Sequence, residues 1–232
     1  MLKAIAFDLD GTLIDTAPDM GAAMNSVLAM LHGSPLPDPI VPQLIGAGIT
    51  AFVERALAYS LSAARLSPTL QAGAEASFRK LYAQRYYERS AVYPHVAETL
   101  ATLAAAGLEL CCITNKETSF ALRLLEATKL RQYFPRIYCA DLAEDRKPSP
   151  NLLLAACSRA GINSNEFLYV GDSRSDIIAA RAAGCRVVAV TYGYTPVPDL
   201  QALQPDALID DFADLCALAD VATARAAVQP ER

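Results

Sequence analysis

Short apolar runs alternate with helical patterns of apolar residues over most of the chain. The apolar runs are 2–7, 108–113, 136–139, 167–170, 186–190 and 207–209. The helical patterns that separate the later runs are 96–106, 120–128, 150–160 and 176–183. Near-continuous apolar strands that alternate with helices are typical of a parallel sheet covered by helices on both faces. We therefore predict an α/β fold with a Rossmann-like parallel sheet.

The alternation is interrupted between Asp15 and about Arg89, where no strand is predicted. Helical patterns cover 17–31, 50–62 and 68–88, and a proline-rich segment separates the first two. We interpret this region as an all-helical cap domain that is inserted after the first strand. The predicted division is a helical cap of residues 16–89 and a catalytic core of residues 1–15 and 90–232.

Composition and charge narrow the class of protein. Of the 232 residues, 53% are hydrophobic and 19% are charged, which suffices for a buried core. The formal net charge of -5 argues against a nucleic-acid partner, because phosphate backbones are bound by basic surfaces. No apolar stretch reaches the roughly 18 residues of a membrane span, and Asp8 and Asp10 interrupt any N-terminal signal pattern. We expect a cytoplasmic monomer or homodimer without nucleic-acid or membrane partners.

Charged and polar residues follow the predicted strands. They are Asp8 and Asp10 after the first strand, Thr114 and Asn115 after the second, Lys147 after the third, and Asp172 and Asp176 after the fourth. Ligands of open parallel sheets bind at the carboxyl ends of the strands. We therefore predict that these residues converge at one edge of the sheet and form the functional site.

The residue types at this edge suit phosphoryl transfer. Asp8 and Asp10 can share a site in different orientations, so that one is a nucleophile and the other an acid or base. An anionic phosphate repels a carboxylate nucleophile, and a cation between them removes that repulsion. Mg²⁺ prefers oxygen ligands, which Asp8 and Asp172 can supply. Lys147 adds positive charge, and the Thr114 hydroxyl and turn amides near Asn115 can hold phosphate oxygens.

Four segments carry a resemblance to a known superfamily. They are Asp8-Leu9-Asp10-Gly11-Thr12, Thr114-Asn115-Lys116, Lys147-Pro148 and Gly171-Asp172-Ser173-Arg174-Ser175-Asp176. In this order they resemble the four motifs of the haloacid dehalogenase superfamily, and the helical insertion is similar to its cap domain of the first type. In that superfamily, the phosphatases and phosphomutases carry an aspartate two residues after the nucleophile.

The resemblance implies a role for each motif. Asp8 is the implied nucleophile and Asp10 the implied acid/base. The implied cofactor is Mg²⁺, held by Asp8, Asp172 and the backbone carbonyl of Asp10, with Asp176 supporting the metal site. Lys147 belongs to the catalytic set in this interpretation.

Further segments are similar to the bacterial phosphoglycolate phosphatases of this superfamily. They are Ile45-Gly46-Ala47-Gly48, Glu54-Arg55-Ala56-Leu57, Tyr93-Pro94-His95-Val96 and Thr191-Tyr192-Gly193-Tyr194. The resemblance implies hydrolysis of 2-phosphoglycolate to glycolate and phosphate. Backbone amides of the turn of Gly46 and Gly48 are suited to binding the substrate carboxylate, and Arg55 can pair with it if its helix faces the cleft rather than water. Ala47 departs from the pattern, because that family commonly has asparagine between the two glycines.

Other functions stay open on the sequence alone. A phosphatase for another small phosphate, such as a sugar phosphate or pyrophosphate, or a phosphomutase of the same fold would carry the same four motifs. A phosphoacceptor signalling domain belongs to a different class, but such receivers are shorter and have no helical insertion after the first strand. A non-catalytic binding protein is disfavoured, because no motif residue is missing.

Overall fold

The computed structural model describes residues 2–85 and 87–219, in which six parallel strands form the central sheet. The strands are β1 (Ala4–Phe7), β2 (Ile14–Asp15), β3 (Ala91–Val92), β4 (Glu109–Thr114), β5 (Arg136–Cys139), β6 (Phe167–Gly171), β7 (Arg186–Val190) and β8 (Ala207–Ile209). The order across the central sheet is β5-β4-β1-β6-β7-β8, and β2 and β3 form a separate antiparallel pair. Each predicted strand is present to within two residues, so the predicted parallel sheet is confirmed.

The predicted helical patterns are also found as helices. The helices of the described residues are α1 (Ala17–Met30), α2 (Val41–Leu44), α3 (Gly48–Ser60), α4 (Pro68–Arg85), α5 (Val96–Ala105), α6 (Thr118–Ala127), α7 (Asn151–Ala160), α8 (Arg174–Ala182), α9 (Val197–Ala202) and α10 (Leu215–Leu218). The sequence does not predict the short α2, α9 and α10, because so few residues show no helical period. No helix in the described part of the chain has both the length and the apolar character needed to cross a membrane.

Both faces of the central sheet are buried. In β1, Ile5 and Phe7 point to one face, and Ala4 and Ala6 point to the other. Residues of α5, α6 and α10 pack on the Ile5 face, while residues of α7, α8 and α9 pack on the Ala4 face. Burial on both faces explains why the strands are near-continuous apolar runs in the sequence. The prediction of helices on both faces is confirmed.

Helices α1–α4 lie between β2 and β3 and share a hydrophobic cluster of their own. The ring centroids of Phe52 and Phe78 are 5.3 Å apart, and those of Phe78 and Tyr82 are 5.5 Å apart. Phe120 of α6 joins the cluster, with its ring 5.2 Å from that of Tyr82. This packing is consistent with the predicted cap, whose boundaries stay a prediction. The predicted core also includes residues 220–232, which lie outside the described residues.

The order of the strands brings three predicted site segments side by side. Strand β1 lies between β4 and β6, in a register that pairs Phe7 with Cys112 and with Val170. Asp8 continues β1, and its N–H donates to Val170 O at 2.9 Å. The residues that follow β4, β1 and β6 therefore meet at the carboxyl edge of the sheet.

Candidate active site

The carboxyl edge of the sheet holds a buried cluster of three carboxylates and one lysine. Oxygens of Asp8, Asp172 and Asp176 lie within 4.8 Å of one another. Lys147 Nζ lies 2.8 Å from Asp8 Oδ1 and 2.7 Å from Asp176 Oδ1. The Lys147 side chain is 1% exposed, so these ion pairs form away from solvent. The structure therefore brings these four predicted residues together.

The electrostatics of this cluster favour a bound cation. Burial raises the pKa of Asp8 to about 7; Lys147 opposes this shift, and the charges of Asp176 and Asp10 add to it. Burial also raises the pKa of Asp172, with Asp176 and Asp8 as further causes. Three carboxylates beside one ammonium leave an excess of negative charge on oxygen donors. A hard divalent cation such as Mg²⁺ fits this set, because it binds carboxylate oxygens and offsets their repulsion.

Asp176 has both of its carboxylate oxygens in hydrogen bonds. Its Oδ1 accepts from Lys147 Nζ at 2.7 Å and from the Tyr169 hydroxyl at 3.1 Å. Its Oδ2 accepts from the N–H groups of Asp172 at 3.2 Å and Ser173 at 2.9 Å, and from the Ser173 hydroxyl at 2.6 Å. These bonds hold the loop after β6 and orient Lys147. Such a residue is better suited to supporting a metal site than to binding the ion directly.

Asp172 is held by loops on two sides. Thr12 Oγ1 donates to its Oδ1 at 2.9 Å, and the N–H of Tyr194 donates to its Oδ2 at 2.8 Å. Gly11 lies against the same carboxylate with a φ of +87°, and a Cβ at this position would be 2.5 Å from Asp172 Oδ2. Glycine adopts this conformation readily and allows so close an approach. The glycine and threonine of the first motif therefore shape the space around Asp172.

Asp10 has hydrogen-bond partners that differ from those of Asp8. Its Oδ1 accepts from Thr16 Oγ1 at 2.6 Å and from Lys116 Nζ at 2.9 Å, and its Oδ2 lies 3.2 Å from Lys116 Nζ. Burial lowers the pKa of Lys116, but Asp10 and Tyr82 outweigh this effect and raise it overall. Lys116 belongs to the second motif, but no role follows for it from the sequence alone. The signal that could have found it is its position directly after the Thr-Asn pair at a strand end.

Thr114 and Asn115 are neighbours at the end of β4 but differ in what they contact. Thr114 Oγ1 accepts from Lys116 N–H at 3.1 Å, which leaves its hydroxyl proton for another acceptor. Asn115 Oδ1 accepts from Lys147 N–H at 2.8 Å, and Asn115 Nδ2 donates to Lys147 O at 3.0 Å and to Gly46 O at 2.8 Å. The Asn115 side chain thus clamps the loop of Lys147 to the glycine turn of the insertion.

That glycine turn closes the cleft from the side of the insertion. Gly46 has a φ of +112°, and Gly48, the first residue of α3, has a φ of +85°. Both line a cavity that also contains Asp8. The structure does not bring Arg55 to this site, because its exposed side chain donates to Leu44 O at 3.2 Å. Helix α3 turns its apolar face towards the cluster of the insertion, and Arg55 lies outside that face.

Two cavities meet at Asp8 and Asp10. The smaller has a volume of about 30 Å³ and is closed on the side of the insertion by Met20, Ile49 and Phe52. The other has a volume of about 290 Å³ and extends towards Asp172. A separate cavity of about 610 Å³ lies beside the β2–β3 pair, and the described residues that line it include neither of the two aspartates. We therefore assign the chemistry to the two cavities that contain Asp8.

Comparison with known proteins assigns the chain to a family. Residues 5–190 match the model of the haloacid dehalogenase-like hydrolases, so the chain belongs to that family. The phosphoglycolate phosphatase of Nitrosospira multiformis is 40% identical over 208 residues, which cover 90% of this chain and 91% of that protein. The phosphoglycolate phosphatase of Salmonella typhimurium is 38% identical over 230 residues, which cover 92% of this chain and 91% of that protein.

A solved structure of similar fold agrees with this assignment. A crystal structure of a predicted phosphoglycolate phosphatase from Haemophilus somnus has a TM-score of 0.88 to this chain at 33% identity. The match covers 94% of this chain and 98% of that one. The predicted family, the predicted fold class and the predicted class of enzyme, a phosphoric monoester hydrolase, are thereby confirmed.

Proposed function

We propose that the chain is a Mg²⁺-dependent phosphatase that hydrolyses 2-phosphoglycolate to glycolate and phosphate through an aspartyl-phosphate on Asp8. The observation that carries this proposal is the buried cluster of Asp8, Asp172, Asp176 and Lys147 beside a cleft that is also lined by Gly46 of the insertion. Similarity to curated phosphoglycolate phosphatases supports the choice of substrate. We expect the enzyme to act in the cytoplasm on this small phosphorylated metabolite, as a monomer or homodimer.

In the first half-reaction, an oxygen of Asp8 forms a bond to phosphorus while the bond from phosphorus to the leaving oxygen breaks. Lys147, 2.8 Å from Asp8, stabilises the negative charge of the transferred group. The Thr114 hydroxyl donates its proton in a hydrogen bond to a phosphate oxygen. Asp10 enters this step protonated and transfers its proton to the leaving oxygen, so that glycolate departs as an alcohol.

In the second half-reaction, water attacks the phosphorus of the aspartyl-phosphate. Asp10, now a carboxylate, removes a proton from that water as the new bond forms. The bond between phosphorus and the Asp8 oxygen breaks, and inorganic phosphate leaves. Asp8 is then a carboxylate again and Asp10 is again protonated, which completes the cycle.

The residues of the cluster would also hold the metal ion. Asp8, Asp172 and the backbone carbonyl of Asp10 would be its protein ligands, and Asp176 would support them through its hydrogen bonds. When bound, Mg²⁺ supplies positive charge that neutralises the carboxylate–phosphate repulsion and the charge that develops on the transferred group.

The shape of the cleft supports a small substrate. The cavity of about 30 Å³ between Asp8 and the insertion has room for only a few atoms, and the cavity of about 290 Å³ that also meets Asp8 and Gly46 has space for the rest of a small substrate. Apolar side chains of the insertion line the smaller cavity, and a substrate that displaces water from it would strengthen the charge interactions inside. Since Arg55 lies outside, we assign the substrate carboxylate to the backbone amides of the turn of Gly46 and Gly48, whose positive φ angles are ones that glycine adopts readily.

A panel of phosphates tests the substrate. We expect 2-phosphoglycolate to exceed hexose phosphates, pyrophosphate and ethyl phosphate by at least roughly tenfold in kcat/KM, because only it places a carboxylate at the glycine turn. The measurement is release of inorganic phosphate with Mg²⁺. Ethyl phosphate is the matched control, since it has nearly the same size and no carboxylate. A sugar phosphate preferred by about tenfold would contradict the substrate but not the phosphatase.

The variant Asp10→Asn tests the acid/base role. We expect kcat/KM for 2-phosphoglycolate to fall by roughly 10²- to 10⁴-fold, which is the usual size of general acid–base catalysis. The loss should be much smaller for acetyl phosphate, because its acetate leaving group needs no proton. Both values come from phosphate release, and kcat/KM reports on steps before the aspartyl-phosphate is hydrolysed. Equal losses on the two substrates would show that Asp10 is not the acid.

A further inference from the structure

The segment that follows β4 is bound to the insertion at successive residues. Asn115 Nδ2 donates to Gly46 O at 2.8 Å. The next residue, Lys116, has its Nζ 5.0 Å from the centroid of the Tyr82 ring, and Tyr82 belongs to α4. Glu117 then forms a bidentate ion pair with Arg79 of the same helix. Lys116 is thus held in place by contacts of its own and of both its neighbours.

Lys116 is a buried cation that contacts the proposed acid/base directly. Its side chain is 4% exposed, and its Nζ lies 2.9 Å from Asp10 Oδ1 and 3.2 Å from Asp10 Oδ2. Lys147 makes the corresponding contacts with Asp8 and Asp176 instead. The two lysines of the site therefore pair with different carboxylates.

The bonds to Asp10 differ between its two oxygens. Oδ1 accepts two short hydrogen bonds, from Thr16 Oγ1 at 2.6 Å and from Lys116 Nζ at 2.9 Å. Oδ2 has only the longer contact of 3.2 Å with Lys116 among the described residues. Oδ2 is therefore the oxygen with lone pairs left for a proton. A general acid must reach the leaving oxygen at about 2.6–3.2 Å, so the position of this carboxylate matters for the rate.

We propose that Lys116 is a positioning residue that fixes the Asp10 carboxylate by its Oδ1, so that Oδ2 faces the leaving oxygen of the substrate. In this role Lys116 contacts Asp10 rather than the substrate and acts through that carboxylate. Tyr82 and the Glu117–Arg79 pair hold Lys116 itself in place. The proposal rests on the acid/base function proposed for Asp10.

The variant Lys116→Met removes the ammonium and keeps most of the side-chain volume. We expect kcat/KM for 2-phosphoglycolate to fall by roughly 10- to 100-fold, because a small misplacement of a catalytic group costs about this much. For acetyl phosphate the loss should be no more than about threefold, because its leaving group needs no acid. Lys116→Gln is the second variant: its amide can still donate to the buried carboxylate, so the protein keeps its fold if the methionine variant does not.

A double variant shows whether Lys116 acts through Asp10. With Asp10 already changed to Asn, the added Lys116→Met or Lys116→Gln should lower kcat/KM by less than about threefold, since the two residues act as one unit. Lys3→Met is the matched control, because it also replaces an ion-paired lysine, which lies 2.7 Å from Glu166 at the amino end of β1, away from Asp10. For this control, the ratio of kcat/KM for 2-phosphoglycolate to kcat/KM for acetyl phosphate should equal that of the unmodified protein.

The outcomes separate this proposal from the proposed function. Suppose that Asp10→Asn loses much more kcat/KM on 2-phosphoglycolate than on acetyl phosphate, but that the losses of the two single variants add up in the double variant. This result would overturn the role of Lys116 and leave the acid role of Asp10 intact. The role of Lys116 would also be overturned if a Lys116 variant lost the same factor in kcat/KM on 2-phosphoglycolate and on acetyl phosphate. Equal losses on both substrates for Asp10→Asn itself would overturn the acid role, and the positioning proposal with it.

Discussion

Replacing Asp8 with asparagine should reduce the release of phosphate from 2-phosphoglycolate by roughly 10⁵-fold or more, which is the scale on which loss of a covalent nucleophile acts. The amide of asparagine has nearly the same shape but is a far weaker nucleophile. Acid quenching of the unmodified enzyme during turnover should leave phosphate on a peptide that contains Asp8. The same experiment on Asp8→Asn should leave none.

The fold should survive this change. The pKa of Asp8 is raised from 3.8 to about 7, mainly by burial, so the folded state favours its protonated form. Ionisation of Asp8 therefore lowers the stability of the metal-free folded protein as pH rises from about 4 to about 7. Asparagine does not ionise, so the Asp8→Asn variant avoids that loss. The melting temperature of metal-free Asp8→Asn at neutral pH should equal or exceed that of the unmodified protein.

The control for Asp8→Asn is Asp206→Asn. Asp206 precedes β8 at the amino edge of the sheet, where its Oδ2 accepts from Val187 N–H at 2.7 Å. Activity should stay within about twofold, because the change lies at the edge opposite the site and surface substitutions have small effects. A well-folded Asp8→Asn protein with activity near that of Asp206→Asn would rule out the proposed mechanism.

Much of the candidate site could be predicted because strand ends are visible in the sequence. Asp8, Thr114 and Asp172 each stand at the end of an apolar run, and all parallel strands present their carboxyl ends at one edge. Convergence follows from this rule even where the order of strands is unknown. The capping box of Ser173 and Asp176 is likewise local, since its two residues lie one helical turn apart.

The contacts that depend on distant pairing could not be predicted in this way. Asn115 bonds to Lys147, 32 residues away, and Lys116 bonds to Asp10, 106 residues away. No periodicity links such positions, so the clamp made by Asn115 and the contact of Lys116 require the three-dimensional structure. For Arg55, the sequence leaves open whether its helix faces the cleft or water, and the packing of α3 leaves the side chain exposed.

Removing Mg²⁺ should abolish turnover, and Asp172→Ala should raise the Mg²⁺ concentration needed for half-maximal activity by roughly 10²-fold or more. Loss of a residue that only supports a metal ligand already costs about 10- to 100-fold in affinity, and Asp172 is a proposed direct ligand. The measurements are activity in EDTA, its recovery on adding Mg²⁺, and calorimetric titration of the metal-free protein with Mg²⁺.

Asp172→Asn separates charge from volume in this test. Its side-chain oxygen can still accept the hydrogen bond that Thr12 Oγ1 makes at 2.9 Å, but the negative charge is gone. The asparagine and alanine variants should therefore both bind Mg²⁺ weakly, because a hard cation depends on the charge of its few protein carboxylates.

Metal binding requires deprotonated ligands, so in the unmodified protein Mg²⁺ affinity should rise with pH through about 7, the pKa of Asp8. Full activity in EDTA would refute the role of the metal ion.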